Sequence, residues 1–241
     1  MLTRVVISRV VIYGSAGFLA AALLVAFVPN AVVRFVLWVA GRAFRVRAVG
    51  RENVPADGPA LLVANHVTFA DGLLLGSCVR RPIRFVVWHP YYDMKLLNPI
   101  FRLIQAIPLR ETGPREVLAS LLLARRALAE NHLVCIFAEG GITRTGQLMP
   151  FKRGVERIAE GLDLPIIPVH LDGLWGSILS FSGGKVLWKK PHPASRVTVT
   201  FGSPMPAGST AESVRRAVEL LAEGGPLISQ ADSRLHDRAS R

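Results

Sequence analysis

The chain has 241 residues, of which 51% are apolar and 19% charged, below the roughly 25% charged residues of an average soluble domain. Length and apolar content suit one domain with a short appendage, and exclude intrinsic disorder, a disulfide-stapled miniprotein and a charged coiled coil. Lys and Arg number 29 against 17 Asp and Glu, a net charge of +12, which suits an anionic partner: nucleic acid, a membrane surface or a phosphorylated substrate.

The N-terminal fifth chooses among these. Residues 1–50 hold Arg4, Arg9, Arg34, Arg42, Arg45 and Arg47 and no acid, within the most apolar part of the chain. Greasy and basic together point to anionic lipid headgroups, and no nucleic-acid-binding motif is present. Residues 10–28 are uncharged and end at Pro29, about the minimum for a membrane-spanning helix. The run exceeds the roughly 7–15 residues of a signal-peptide core. Residues 31–41, with Val32, Val33, Val36, Leu37 and Ala40 apolar, read as an amphipathic helix in the interface, with Trp38 at headgroup level. Arginines flank the long run on both sides, so the positive-inside rule nearly ties. A hairpin or shallow dip returning both ends to the cytoplasmic face resolves the tie.

From residue 44 the pattern becomes short apolar runs alternating with helical stretches. Strands are predicted at 44–49, 60–64, 83–88, 104–109, 133–137, 166–170 and 197–201. Several are continuous apolar runs, as expected of strands covered on both faces. Helices are predicted at 72–79, 91–103, 114–130, 152–161 and 211–223. Pro114 suits a first helical position after Thr112 or Gly113, and Ser209 with Glu212 forms a capping box for the last helix. The alternation predicts an α/β layered domain over 44–223, a mostly buried central sheet flanked by helices. It follows the membrane-associated segment 1–43 and precedes a loose tail, 224–241. Cys78 and Cys135 sit far apart in apolar runs and read as buried free thiols.

Four segments carry candidate chemistry. Asn65-His66 ends the strand at 60–64, and Asp71 opens the following helix. Four intervening residues let the chain turn back, so Asp71 can hold one ring nitrogen of His66 and leave the other as a base. Spacing alone equally allows a helix-capping Asp71 beside a structural His66. Glu139-Gly140-Gly141-Ile142-Thr143-Arg144 follows a buried strand; its glycine N–H groups and guanidinium suit a phosphate, as does an ordinary glycine turn. Arg110 ends an apolar strand as a phosphate clamp or a solvated end. The segment 164–169 (Leu-Pro-Ile-Ile-Pro-Val) reads as packing. Neither Gly-x-Ser-x-Gly nor His-Glu-x-x-His occurs, which argues against a serine or zinc hydrolase.

In this order the segments resemble the glycerolipid acyltransferase family that includes lysophosphatidate acyltransferases. Its Asn-His-x4-Asp motif is met by Asn65, His66 and Asp71, its second motif by Arg110, its Phe-Pro-Glu-Gly-Thr-Arg-Ser motif in part by Phe137, Glu139 and Gly140, and its fourth by residues 165–169. Ala138 stands where the family has proline, and Gly141-Ile142 separate Glu139-Gly140 from Thr143-Arg144. The string from Glu139 to Met149 looks like the acyltransferase domain of bifunctional acyl-carrier-protein synthetase/lysophosphatidylethanolamine acyltransferases. The resemblance implies acyl transfer from acyl-CoA or acyl-carrier protein to a lysophospholipid hydroxyl, with His66 and Asp71 catalytic and no metal or other cofactor. It implies substrate contacts from Asn65, Arg110, Glu139, Gly140 and Arg144. An acidic carrier protein would also find Lys185, Lys189, Lys190, His192 and Arg196, or these face anionic lipid.

Overall fold

A computed structural model describes residues 31–177, 179–182, 184 and 196–224. The predicted span at 10–28, the residues 225–241 of the tail, and Lys185, Lys189, Lys190 and His192 lie outside the described residues. Seven strands form one mixed sheet: β1 (Arg47–Val49), β2 (Ala60–Ala64), β3 (Ile83–Trp88), β4 (Ile107–Leu109), β5 (Leu133–Phe137), β6 (Ile166–Asp172) and β7 (Thr198–Phe201). Their order is β1-β7-β6-β2-β5-β3-β4. The five strands from β6 to β4 run parallel; β7 is antiparallel to β6 and carries β1 parallel beside it.

The apolar runs become strands because both faces are covered. Leu61 and Val63 of β2 face one core, with Val134 and Ile136 of β5 and helices α5 (Pro114–Ala129), α6 (Gly154–Ala159) and α7 (Ala211–Ala222). Ala60, Leu62 and Ala64 face the other, with α2 (Asp71–Cys78). A helix over residues 31–43, α1, closes that second side. Leu37 packs against Gly76 and Gly41 against Ser77, so α1 and α2 approach where side chains are small. The apolar residues of α1 therefore divide. Ala40 is buried and Val33 and Leu37 half-buried, whereas Val32, Phe35, Val36, Trp38 and Val39 remain exposed. The interfacial segment is thus also part of the domain's packing.

Several predicted bounds shift for local reasons. The strands expected at 44–49 and 104–109 start only at Arg47 and Ile107, because Arg45 and Gln105 hold left-handed φ angles of 46° and 52°, outside the strand region. The helix expected at 91–103 is two short ones, α3 (His89–Tyr92) and α4 (Asn98–Leu103), the second starting around Pro99. Proline lacks the N–H that would continue a preceding helix and is tolerated in a first turn. The cap of α7 is Thr210, which accepts the Ser213 N–H, rather than Ser209, whose hydroxyl donates to Pro206 O.

Candidate active site

In register Ala64 of β2 lies beside Phe137 of β5. The strands are parallel neighbours, so the segments leaving them emerge together at one sheet edge, where open α/β sheets place their sites. His66 leaves β2 and Glu139 leaves β5.

Two residues past β2 the chain folds back on itself. His66 Nδ1 lies 2.8 Å from Asp71 Oδ2. Asp71 is fully buried, yet its carboxylate is saturated. Oδ2 accepts the backbone N–H groups of Val67 at 2.5 Å and Thr68 at 2.9 Å, and Oδ1 accepts the Thr68 hydroxyl at 2.6 Å. A buried carboxylate ringed by donors acts as an acceptor. It therefore takes the Nδ1–H of His66, and Nε2 carries the free lone pair. Asp71 opens α2 without capping it, since α2 has no side-chain cap bond. The turn-forming carboxylate thus serves the histidine.

The loop after β5 holds the histidine's main chain. Glu139 Oε1 accepts the His66 N–H at 2.7 Å, and Oε2 accepts the Met149 N–H at 2.8 Å. The Thr143 N–H donates to His66 O at 2.9 Å. The Phe137 ring stacks on the imidazole, centroids 4.2 Å apart. Burial pushes the Glu139 carboxyl above its ordinary range, tempered by its two N–H donors. The Ala138 N–H donates to Ala64 O, a bond a proline here would forgo.

The imidazole, its side chain 20% exposed, opens onto a groove of about 1840 Å³. Its walls are mostly apolar, from α1 (Leu37), β3 (Phe85, Val87) and α4 (Ile100, Leu103), with Arg144, Lys152 and Glu111 near the loop. The shape suits an acyl chain with a polar end. Cys78 and Cys135 are buried free thiols. Burial pushes Cys78 up to about 11 and Cys135 higher still, so neither is a ready nucleophile. No group of three or more metal-ligating side chains occurs among the described residues.

The His66–Asp71 pair and the 139–149 loop that supports it lie inside residues 45–172, as does most of the apolar groove beside them. That stretch, just over half of the chain, matches the acyltransferase family. The chain belongs to that family. Relatives titled 1-acyl-sn-glycerol-3-phosphate acyltransferase include one from Bacillus subtilis, 27% identical over 66% of this chain and 73% of its own length. Another, chloroplastic, from Arabidopsis thaliana is 26% identical over 65% of this chain and 46% of its own length. The match therefore spans less than half of the Arabidopsis protein. The crystal structure of a 1-acyl-sn-glycerophosphate acyltransferase from Thermotoga maritima shares the fold, with a TM-score of 0.65 at 22% identity, covering 87% of this chain and 85% of that one.

In this member of the family the sequence-predicted residues divide. His66, Gly140 and Arg144 line the groove. Asn65, expected to touch substrate, is buried and spends its amide on β6: Nδ2 donates to Leu171 O at 3.0 Å and Oδ1 accepts the Leu171 N–H at 2.8 Å. Glu139 spends both oxygens on backbone. Arg110 is exposed and does not line the groove, though Leu109 and Glu111 on either side do, since alternate residues of an extended segment face opposite ways. The Arg144 guanidinium carbon lies over the Phe181 ring, 3.7 Å from its centroid. Not singled out in the sequence were Thr68, whose hydroxyl holds Asp71, and Lys152, which lines the groove. Thr68 occupies an unspecified position of the His-x4-Asp spacing, so only its turn-forming chemistry marked it.

Proposed function

We propose that the protein transfers a fatty acyl group from acyl-CoA or acyl-carrier protein to the free hydroxyl of lysophosphatidate, giving phosphatidate. The observation that carries this reading is the 2.8 Å His66–Asp71 pair facing the apolar groove. The titles of the relatives support the acceptor.

In the mechanism, His66 Nε2 takes the proton of the acceptor hydroxyl as its oxygen attacks the thioester carbonyl carbon. Asp71 holds the tautomer and stabilises the imidazolium. The tetrahedral intermediate collapses, the carbon–sulfur bond breaks, and the thiolate leaves with the proton from His66. The acceptor is itself the nucleophile, so no acyl-enzyme forms. Glu139 and Asn65 act as positioning residues through the main chain. Arg144 contributes a guanidinium for the phosphate.

We place the domain at the cytoplasmic face of a membrane, attached through residues 1–43. Among the described residues no helix is long and apolar enough to cross a membrane. Support comes from the exposed apolar side chains of α1 and from Arg42, Arg45, Arg47 and Arg196, which line one shallow concavity. Such a surface suits anionic headgroups.

The test is acyl transfer by detergent-solubilised protein from labelled acyl-CoA and acyl-carrier protein. The acceptors are lysophosphatidate, lysophosphatidylethanolamine and a no-lipid control. Transfer to lysophosphatidate above all others, reduced by roughly 10²–10⁴ in His66→Ala, is the expected result. Preference for lysophosphatidylethanolamine would instead make the 139–149 segment the signature of a remodelling enzyme. Full activity in His66→Ala would sink the dyad.

A further inference from the structure

Acceptor recognition needs a cation beside the dyad. Arg110 does not line the groove. Arg144 is laid over Phe181, and Arg153 pairs with Glu156 at 2.9 Å. Lys152 is ion-paired too, and joins Arg144 on the groove, but it stands against the Gly140 turn. Its N–H donates to Ala138 O at 2.8 Å, the residue before Glu139. Its side chain then returns to the residue after Glu139. A Cβ on Gly140 would stand 2.2 Å from Lys152 Cε and 2.5 Å from Nζ. The lysine thus brackets the glutamate that holds the His66 main chain. Any other residue here would push the lysine's end aside, and Gly140 also holds a left-handed φ of 75° that favours glycine.

The ammonium does not stand alone. Glu111 Oε1 lies 3.0 Å from Lys152 Nζ, with side chains 36% and 58% exposed. Both residues line the groove with His66 and Gly140. A carboxylate in this place repels an anionic headgroup unless it moves. An exposed Lys–Glu pair is weak and both side chains are free to turn. A phosphate offers the ammonium more acceptor oxygens and more charge than a carboxylate does.

We propose that Lys152 is a primary contact for the acceptor's phosphate, and that Glu111 is an internal counter-ion which the phosphate displaces. The inference rests on the acylation of a phosphate-bearing acceptor proposed above. In the resting site the Lys152–Glu111 pair lies closed against the Gly140 turn. An acceptor without a phosphate has nothing to open it with, so the pair selects for the anionic lipid and Glu111 sets how tightly it binds.

The experiment compares wild type, Lys152→Met, Lys152→Arg and Glu111→Gln of the full chain, with lysophosphatidate and the matching monoacylglycerol as acceptors. Lys152→Met raises the KM for lysophosphatidate about tenfold or more, as loss of a charge-assisted contact does, and does not raise the KM for monoacylglycerol. Glu111→Gln lowers the KM for lysophosphatidate. Lys152→Arg keeps most of the affinity, which separates loss of contact from misfolding. An unchanged KM in Lys152→Met, or a rise in Glu111→Gln matching that of Lys152→Met, makes the pair a structural strut and overturns the proposal. Calorimetric titration with glycerol 3-phosphate reads the same point without turnover. Binding is expected to be tighter in Glu111→Gln and lost in Lys152→Met, and equal titrations in all variants overturn the proposal. A wild type that binds glycerol 3-phosphate in this pattern yet transfers no acyl group would refute the acylation reading alone.

Discussion

Glu139 Oε1 accepts the His66 backbone N–H at 2.7 Å, so a residue leaving β5 sets the main chain of the residue leaving β2. The Thr143 N–H on His66 O makes the hold two-sided. Asp71 fixes the ring and the 139–143 loop fixes the backbone from which the ring hangs. The loop that carries Glu139 is therefore part of the support of the histidine that leaves β2.

Glu139→Gln tests that support with almost no change of shape. The carboxylate gives one oxygen to each of two N–H donors, His66 and Met149. A glutamine has one acceptor oxygen, and its NH2 must face the other donor. One charge-assisted bond is lost, worth roughly 1.5–3 kcal/mol. The variant is expected to lose about 10- to 100-fold in kcat, with smaller changes in either KM. Steady-state kinetics on both substrates checks it, and a KM effect without a kcat effect would make Glu139 a substrate contact.

The same carboxyl gives a pH dependence. Burial raises the Glu139 pKa in the folded protein, above an unfolded value of about 4.3. Between the two values the native state binds more protons than the unfolded one, so stability falls as pH rises through that window. The favourable term is fully present below the unfolded value and lost above the folded one. Glu139→Gln lacks it, while other shifted groups such as Glu156 and Glu212 are common to both proteins and cancel. Denaturant unfolding from pH 4 to 8 is expected to show wild type losing stability relative to Glu139→Gln as pH rises. A constant difference would mean that burial does not shift this carboxyl.

The strands were legible because parallel strands covered on both faces are written as continuous apolar runs, and 60–64, 83–88 and 133–137 have the predicted bounds. The His66–Asp71 pair was legible because its geometry is local to one turn. What escaped was long-range. Nothing in the sequence states that β2 lies between β5 and β6. Glu139 therefore looked like a substrate contact when it is a backbone acceptor for His66, and Asn65 hid its bond to Leu171. Arg110 stands off the groove for a smaller reason: it follows β4 by one residue, and alternate residues of an extended segment face opposite ways. Lys152 was passed over because a cation before a helix is usually solvated; its side chain is indeed half-exposed, and only its closeness to Gly140 and Glu111 ties it to the groove.

Asn65→Leu separates clamping from substrate contact. Leucine is near in volume but leaves the Leu171 N–H and C=O without their partners. Each unsatisfied buried group costs about 1–3 kcal/mol, so the expected outcome is a marked fall in melting temperature. The acceptor KM of the folded fraction should stay near that of wild type. A normal melt with a raised KM would restore Asn65 to the substrate.

The outer face of α1 carries the last prediction. Phe35 and Trp38 are 62% and 59% exposed, their rings stacked at 6.0 Å, and Arg42 lies over the Trp38 ring at 5.8 Å. Leu37 and Ala40 anchor the other face of the helix, so the outer one can change without loosening the domain. An aromatic pair with a guanidinium beside it suits the headgroup layer of an anionic bilayer. Phe35→Ser with Trp38→Ser is expected to weaken binding to anionic vesicles by about tenfold or more, from the apolar area no longer buried. The melting temperature should hold, because neither ring is in the core. Vesicle co-sedimentation at two salt concentrations checks both parts. Binding that is unchanged by the serines but abolished by salt would assign attachment to the arginines alone. A fall in melting temperature would mean that these rings also contribute to packing.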